Sequence, residues 1–280
     1  MLWEGRRGSS NIEDRRGISG GHIAVGGGIG SLVIGLIIYL LGGNPSQVMD
    51  TGPSNAPQTQ AEKQAEDKEA QFVSVVLADT EDIWSKLFSN MNKQYSNPTL
   101  VMFNDATQSG CGFANAATGP FYCPSDEKVY LDLSFFREMR DRFNAAGDFA
   151  EAYVIAHEVG HHVQNLLGIT NKVDAMRGRV DETQMNKLSV KLELQADFLA
   201  GVWAHYEQSL KNVIQPGDIE EALNAANAIG DDRLQKESQG YVVPDSFTHG
   251  TSQQRMYWFK KGYETGDINE GDTFNDPSLQ

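Results

Sequence analysis

Residues 148–168, DFAEAYVIAHEVGHHVQNLLG, constrain this chain more than any other segment. Their apolar side chains run almost all round a helix, the pattern of a helix covered on every side. Into that helix the sequence places His157, Glu158, His161, His162, Gln164 and Asn165. Ionisable groups in such a position are costly unless they are paired or bind a metal. The ends carry signals of their own. Asp148, with Glu151 three residues on, suits an N-terminal capping pair, and Gly168 suits the left-handed position past the C-terminus.

His157, Glu158 and His161 form an HExxH pattern. The two histidines lie one helical turn apart, share a face and can bind one ion. Glu158 sits ~100° round the helix, within reach of a water on that ion. Zinc brings the pKa of such a water to roughly 7, and the glutamate takes its proton as the oxygen attacks a carbonyl. One Zn2+ per chain is therefore expected, with Glu158 as general base. A metzincin would need a glycine at 164 and a histidine at 167; Gln164 and Leu167 exclude that class. His162 points away from its neighbour and reads as a packing residue or as a support for the ligands.

A catalytic zinc takes a third protein ligand. The apolar run LSVKLELQADFLAGVWAHY, residues 188–206, holds Glu193 and Asp197 four apart on one face. Gly201 continues that face, with Ala196 and Ala200 beside it, while Ala156 and Gly160 flank the histidines. Small residues allow two helices to approach until short side chains share an ion. Glu193 is the expected third ligand, and Asp197 the acceptor for the second ring N–H of a ligand histidine. A carboxylate pair on a solvated face is the alternative. In SFTHGTSQQR, residues 246–255, His249 precedes a helix with a Thr251/Gln254 capping box. His249 could donate to the oxyanion of a tetrahedral intermediate, with Tyr241 as a weaker alternative donor. Arg255 could buttress His249 or a carboxylate. A loop histidine and a surface arginine are the alternatives.

The chain carries 38 acidic and 23 basic residues, a net charge of −15, which argues against nucleic acid as a partner. No charge occurs between Arg16 and Asp50, and Ile23 to Leu41 is a 19-residue apolar run. That is about enough to span a ~30 Å hydrocarbon core. Four arginines precede it, so positive-inside logic puts residues 1–22 in the cytoplasm and the rest outside. An uncleaved signal anchor over 23–41 is preferred to a cleaved signal peptide. Residues 42–70, rich in Pro, Gly and Gln, read as a flexible linker to a domain over 71–280. Cys111 and Cys123 are expected to form a disulfide, which that compartment permits; two separate buried thiols are the alternative.

Within 71–280 the periodicity predicts a helix over 71–95, a strand over Thr99 to Phe103, and a hairpin or meander over 109–133. From Ser134 the pattern is helical, with breaks at Gly147, Gly168, Pro216 and Gly240 to Pro244. Strands first and helices after imply an α+β class.

HEVGHHVQ, ELQAD, FTHGTSQQR and CGFANAATGPFYCPSDEKVYLDLSFF together resemble the bacterial family named Putative neutral zinc metallopeptidase. The N-terminal WEGRRGSSNIEDRRG is also similar, so the resemblance covers essentially the whole chain. It implies a zincin-like metalloprotease domain: a small N-terminal sheet, an active-site helix, a glutamate ligand on a later helix, and here one transmembrane helix ahead of them. It also implies that a sheet edge pairs with an extended substrate, with Lys128 to Asp132 as the candidate. The resulting expectation is a membrane-anchored zinc endopeptidase with its catalytic domain on the periplasmic side of a bacterial inner membrane, acting on a protein or peptide. A non-catalytic, chaperone-like zinc module and a hydrolase of non-peptide amides are the alternatives.

Overall fold

Ile12–Asp14 (β1) pairs in parallel with Thr99–Phe103 (β2), the continuous apolar run TLVMF that the sequence marks as a strand. The structure is a computed structural model and describes residues 1–17, 59–115 and 118–279. Ala106–Ser109 (β3) and Gly112–Asn115 (β4) form a separate antiparallel hairpin. Phe121–Cys123 (β5) runs antiparallel to Lys128–Asp132 (β6), which lies parallel to β2. The main sheet has the order β1-β2-β6-β5. Cys111, in the β3–β4 turn, is disulfide-bonded to Cys123 at the end of β5. The strand proposed to receive substrate, Lys128–Asp132, is therefore interior, with β2 on one side and β5 on the other; β5 is the edge on that side.

The helices are Gln60–Asn90 (α1), Ser134–Asp141 (α2), Asp148–Leu166 (α3), Ile169–Asp174 (α4), Glu182–Tyr206 (α5), Asp218–Ala228 (α6), Asp231–Gln239 (α7) and Ser252–Thr265 (α8). The α+β class holds, mostly helical with a small sheet. α1 starts inside the expected 42–70 linker, because Thr59 and Glu62 form a capping box there. α3 packs on α1, α5 and α6 and on strands β5 and β6, which accounts for its apolar circumference. Asp148 is its first residue rather than its cap. The cap position is Gly147 at φ 125°, and Glu221 of α6 accepts from the Phe149 N–H at 3.1 Å. Gly168 closes α3 in the left-handed conformation, as expected.

Close backbone approach sets the helix register. A Cβ on Gly160 would meet Ala196 O at 3.0 Å, so the α3–α5 contact is as tight as the small residues suggest. Gly201 faces α8 instead: its Cβ would lie 2.0 Å from Phe259 O, and one on Gly262 would lie 2.0 Å from Phe198 O. The two glycines form a reciprocal contact between α5 and α8.

The membrane topology expected from sequence is overturned. No helix among the described residues is long and apolar enough to cross a membrane. The expected span, 23–41, lies outside the described residues. Residues 1–17 belong to the same body as the helices. Trp3 stacks edge-on against Phe72 with ring centroids 5.4 Å apart, Arg6 pairs with Asp79 at 2.6 Å, and β1 extends the sheet. Groups at hydrogen-bonding distance cannot be separated by a ~30 Å hydrocarbon core, so a cytoplasmic N-terminus with an extracytoplasmic domain does not describe this fold.

Arg6 and Lys211 meet Asp79 and Glu207 at the end of α5. Glu207 is fully buried, and neither of its oxygens has a hydrogen-bond partner. Burial, then the Asp79 charge, outweigh Lys211 and Arg6 and push its pKa up to about 7.

Two outcomes are expected. Gly201→Ala should destabilise the fold by about 3 kcal/mol, because its methyl group has no room beside α8, whereas Gly160→Ala should cost less; urea unfolding measures both. Glu207 keeps its proton longer in the folded chain than in the unfolded chain. Its contribution to stability is present below pH 4.5 and is lost as pH rises through about 7. Relative to Glu207→Gln, the wild type should therefore lose about 3 kcal/mol across that interval. Parallel unfolding curves for the two proteins from pH 4 to 8 would refute this.

Candidate metal centre

The 3.6-residue period of α3 brings His157 and His161 edge to face, with ring centroids 4.8 Å apart. Glu193 reaches them from α5. Its Oε2 lies 3.2 Å from His157 Nε2 and its Oε1 3.5 Å from His161 Nε2. One donor atom from each of the three lies within 4.8 Å of the others. Tetrahedral zinc with bonds of ~2.0–2.1 Å needs donors spaced roughly 3.3 Å apart, and it takes imidazole nitrogen and carboxylate oxygen. The set fits that ion in both spacing and donor type. The site is not sealed, since His161 and Glu193 keep 15% and 16% of their side chains exposed. Glu158 is buried on the same helix, next to His157. Burial opposes charge on His161, and chiefly Glu193 outweighs it and favours the protonated form.

Behind His157 lies a wholly buried network. His157 Nδ1 donates to Asp197 Oδ1 at 2.8 Å. Arg255 of α8 grips Asp197 with a fork, Nε to Oδ2 at 2.9 Å and Nη2 to Oδ1 at 3.0 Å. Arg255 thus buttresses the carboxylate and not His249. Tyr153 Oη donates to Asp197 Oδ1 at 2.5 Å and accepts from Arg255 Nη2 at 3.2 Å. Burial raises the Asp197 pKa, but Arg255 and then His157 outweigh it and hold the group ionised. Burial opposes charge on His157; Asp197 and Glu193 outweigh it and raise its affinity for a proton. Glu193 is held well below the carboxylate range, its burial overcome by the charges of His161 and His249.

Burial opposes charge on both His249 and Glu193, and the charge of each favours the ionised form of the other. The His249 loop is organised by Asp231, the first residue of α7. Asp231 Oδ2 accepts the backbone N–H groups of Thr248, His249 and Gly250 at 2.8, 2.6 and 3.0 Å, and Oδ1 lies 3.3 Å from His249 Nδ1. The Thr251/Gln254 capping box is present at the start of α8. His162 turns the other way: Nε2 donates to Ser96 O at 2.7 Å and Nδ1 accepts from Tyr122 Oη at 3.0 Å. Tyr241, the alternative donor, is 62% exposed.

Sequence reasoning missed Tyr153 and Asp231. Tyr153 carried a usable signal, since it lies four residues before His157 on the same face. Asp231 carried none, being 18 residues from the histidine it anchors.

The Asp197–Arg255 pair yields a stability expectation. Asp197→Ala and Arg255→Met should each cost about 3–5 kcal/mol, because each leaves a buried charge unpaired, and the double variant should cost less than the sum. Additive losses in denaturant titrations would show that the pair is not coupled.

The chain matches the family described as "Putative neutral zinc metallopeptidase" over residues 1–274. The uncharacterized protein YpfJ of Escherichia coli K12 is 51% identical over 284 residues, spanning 98% of this chain and 99% of the relative. An uncharacterized protein of Mycobacterium tuberculosis H37Rv is 42% identical over 207 residues, or 70% of this chain and 68% of that one. No solved structure matches. A match running from residue 1 through His157, His161 and Glu193 and on past α8 shows that the chain belongs to the Putative neutral zinc metallopeptidase family.

Proposed function

We propose that this chain hydrolyses peptide bonds with a single zinc ion held by His157, His161 and Glu193. The observation that carries the reading is the meeting of those three donor sets within 4.8 Å on two helices, with Asp197 fixing His157 from behind. Zinc bound there would supply an acidified water and polarise the scissile carbonyl. The protein's own groups do the remaining work. Glu158, beside His157 on the inner helix, takes the proton from the attacking water and later delivers it to the leaving amine. His249, held by Asp231 at the rim, donates a hydrogen bond to the oxygen that gains charge. Asp197, with Tyr153 and Arg255, keeps the His157 Nε2 lone pair aimed at the ion.

The same reading places an extended substrate chain along β5, the sheet edge packed against α3, as an added strand. The Cys111–Cys123 bond ties that edge to the β3–β4 hairpin. The intact Glu158 favours this reading over a structural zinc module, which has no use for a proton acceptor beside its ion. The endopeptidase assignment and the zincin-like character of the domain belong to this proposal.

The test is a comparison of wild type and Glu158→Gln on an unfolded protein substrate, with bound zinc assayed in both. The variant should keep its zinc and lose hydrolysis by about 10²–10⁴-fold, the usual worth of a positioned acid–base group. A chelator should abolish the wild-type activity, and added zinc should restore it. Equal hydrolysis by the two proteins would sink the mechanism.

A further inference from the structure

Gln164 lies three residues after His161 on α3 and is completely buried. A buried primary amide must satisfy two donors and an acceptor, and the nitrogen and oxygen ends are not interchangeable. Its Nε2 lies 2.7 Å from Leu192 O and 3.1 Å from Gln195 Oε1, and its Oε1 lies 2.9 Å from His161 Nδ1. A backbone carbonyl can only accept. The amide nitrogen must therefore face Leu192, and the amide oxygen must face the histidine. The next link obeys the same logic. Gln195 Nε2 donates to Gly271 O at 2.8 Å, which leaves its Oε1 to accept from Gln164. The relay ends on two backbone carbonyls, Leu192 O and Gly271 O, so its direction cannot reverse. His161 must donate from Nδ1. In the neutral ring that leaves the lone pair on Nε2, on the side where Glu193 Oε1 lies 3.5 Å away.

We propose that Gln164 is a positioning residue of the metal centre: it fixes the tautomer and ring orientation of His161 and ties that ring to the backbone just before Glu193. The proposal rests on His157, His161 and Glu193 being the zinc ligands. It gives the two histidines different supports. His157 leans on an ionised carboxylate, already neutralised by Arg255, whereas His161 leans on a neutral amide. Neither support adds net charge to the site. The amide also couples the ligand helices, because Leu192 and Glu193 are adjacent on α5 and a slip of α5 along α3 would break the Gln164 bond as it displaced the Glu193 carboxylate.

The experiment measures the zinc dissociation constant of the full chain by competition with a chromophoric chelator. It uses the wild type and Gln164→Met, with His161→Ala as the control for the ligand set. Gln164→Met removes the acceptor and should weaken zinc binding by about 10–100-fold. Wild-type affinity in Gln164→Met would overturn the proposal. Should Gln164→Met fail to fold, nitrogen-15 spectra of the unaltered zinc-loaded chain decide the matter. A proton on His161 Nδ1 supports the proposal, and a proton on Nε2 overturns it. Wild-type affinity in His161→Ala overturns both the ligand assignment and the proposal. Neither readout involves a substrate, so a failed Glu158→Gln comparison would remove the peptidase reading without changing these results.

Discussion

A buried carboxylate, Asp197, decides how three helices meet. It receives four hydrogen bonds, two from Arg255 and one each from His157 and Tyr153, and so links α3, α5 and α8. A buried ion pair is tolerable only when its remaining hydrogen-bonding capacity is filled. Here it is filled by Tyr153 and by His157, a candidate metal ligand. The short aspartate side chain can reach a guanidinium on α8 only if the two backbones nearly touch. Gly201 lies one turn after Asp197 on α5, and Phe259 one turn after Arg255 on α8; the contact between that glycine and that carbonyl sets the distance. The orientation of His157 thus traces back to two glycines, Gly201 on α5 and Gly262 on α8.

Much of the centre was legible because its spacings are local. HExxH places two histidines on one face by the helical period alone, and the interval between Glu193 and Asp197 does the same on α5. The Thr251/Gln254 box and the Gly168 terminus likewise depend only on neighbours in sequence. Illegible features were those whose cause lies elsewhere in the chain. α3 is capped by Glu221 from another helix, so Asp148 looked like the cap. Asp231 organises the His249 loop across a gap that no periodicity spans. Strand order was illegible for the same reason: VYLDL reads as a strand but does not say whether it lies at an edge. β1 is three residues, Ile-Glu-Asp, too short and too polar to register as a strand by alternation.

The starting point of the helical body shows how composition can mislead. A stretch rich in Gln, Ala and Glu lacks the apolar residues of a core segment and reads as a tether. Those same residues are good helix formers. With a capping box at Thr59 and Glu62, they extend α1 to Gln60, ahead of its first buried residue at Ala70.

The N-terminal arginines carry the sharpest lesson about charge. Counted as free cations ahead of an apolar run, Arg6, Arg7, Arg15 and Arg16 assign an orientation across a membrane. In the fold each one is engaged: Arg6 with Asp79, Arg7 with Asp82, Arg15 with Glu13 and Arg16 with Asp14. Two of these partners, Asp79 and Asp82, belong to α1, so the basic segment and part of the acidic excess neutralise each other within one body. Orientation rules weigh charges that stay solvated beside the bilayer. Charges committed to ion pairs and to an edge strand answer to the fold instead, and here they fasten the N-terminal segment to the same helix, α1, that packs against the one bearing His157 and His161.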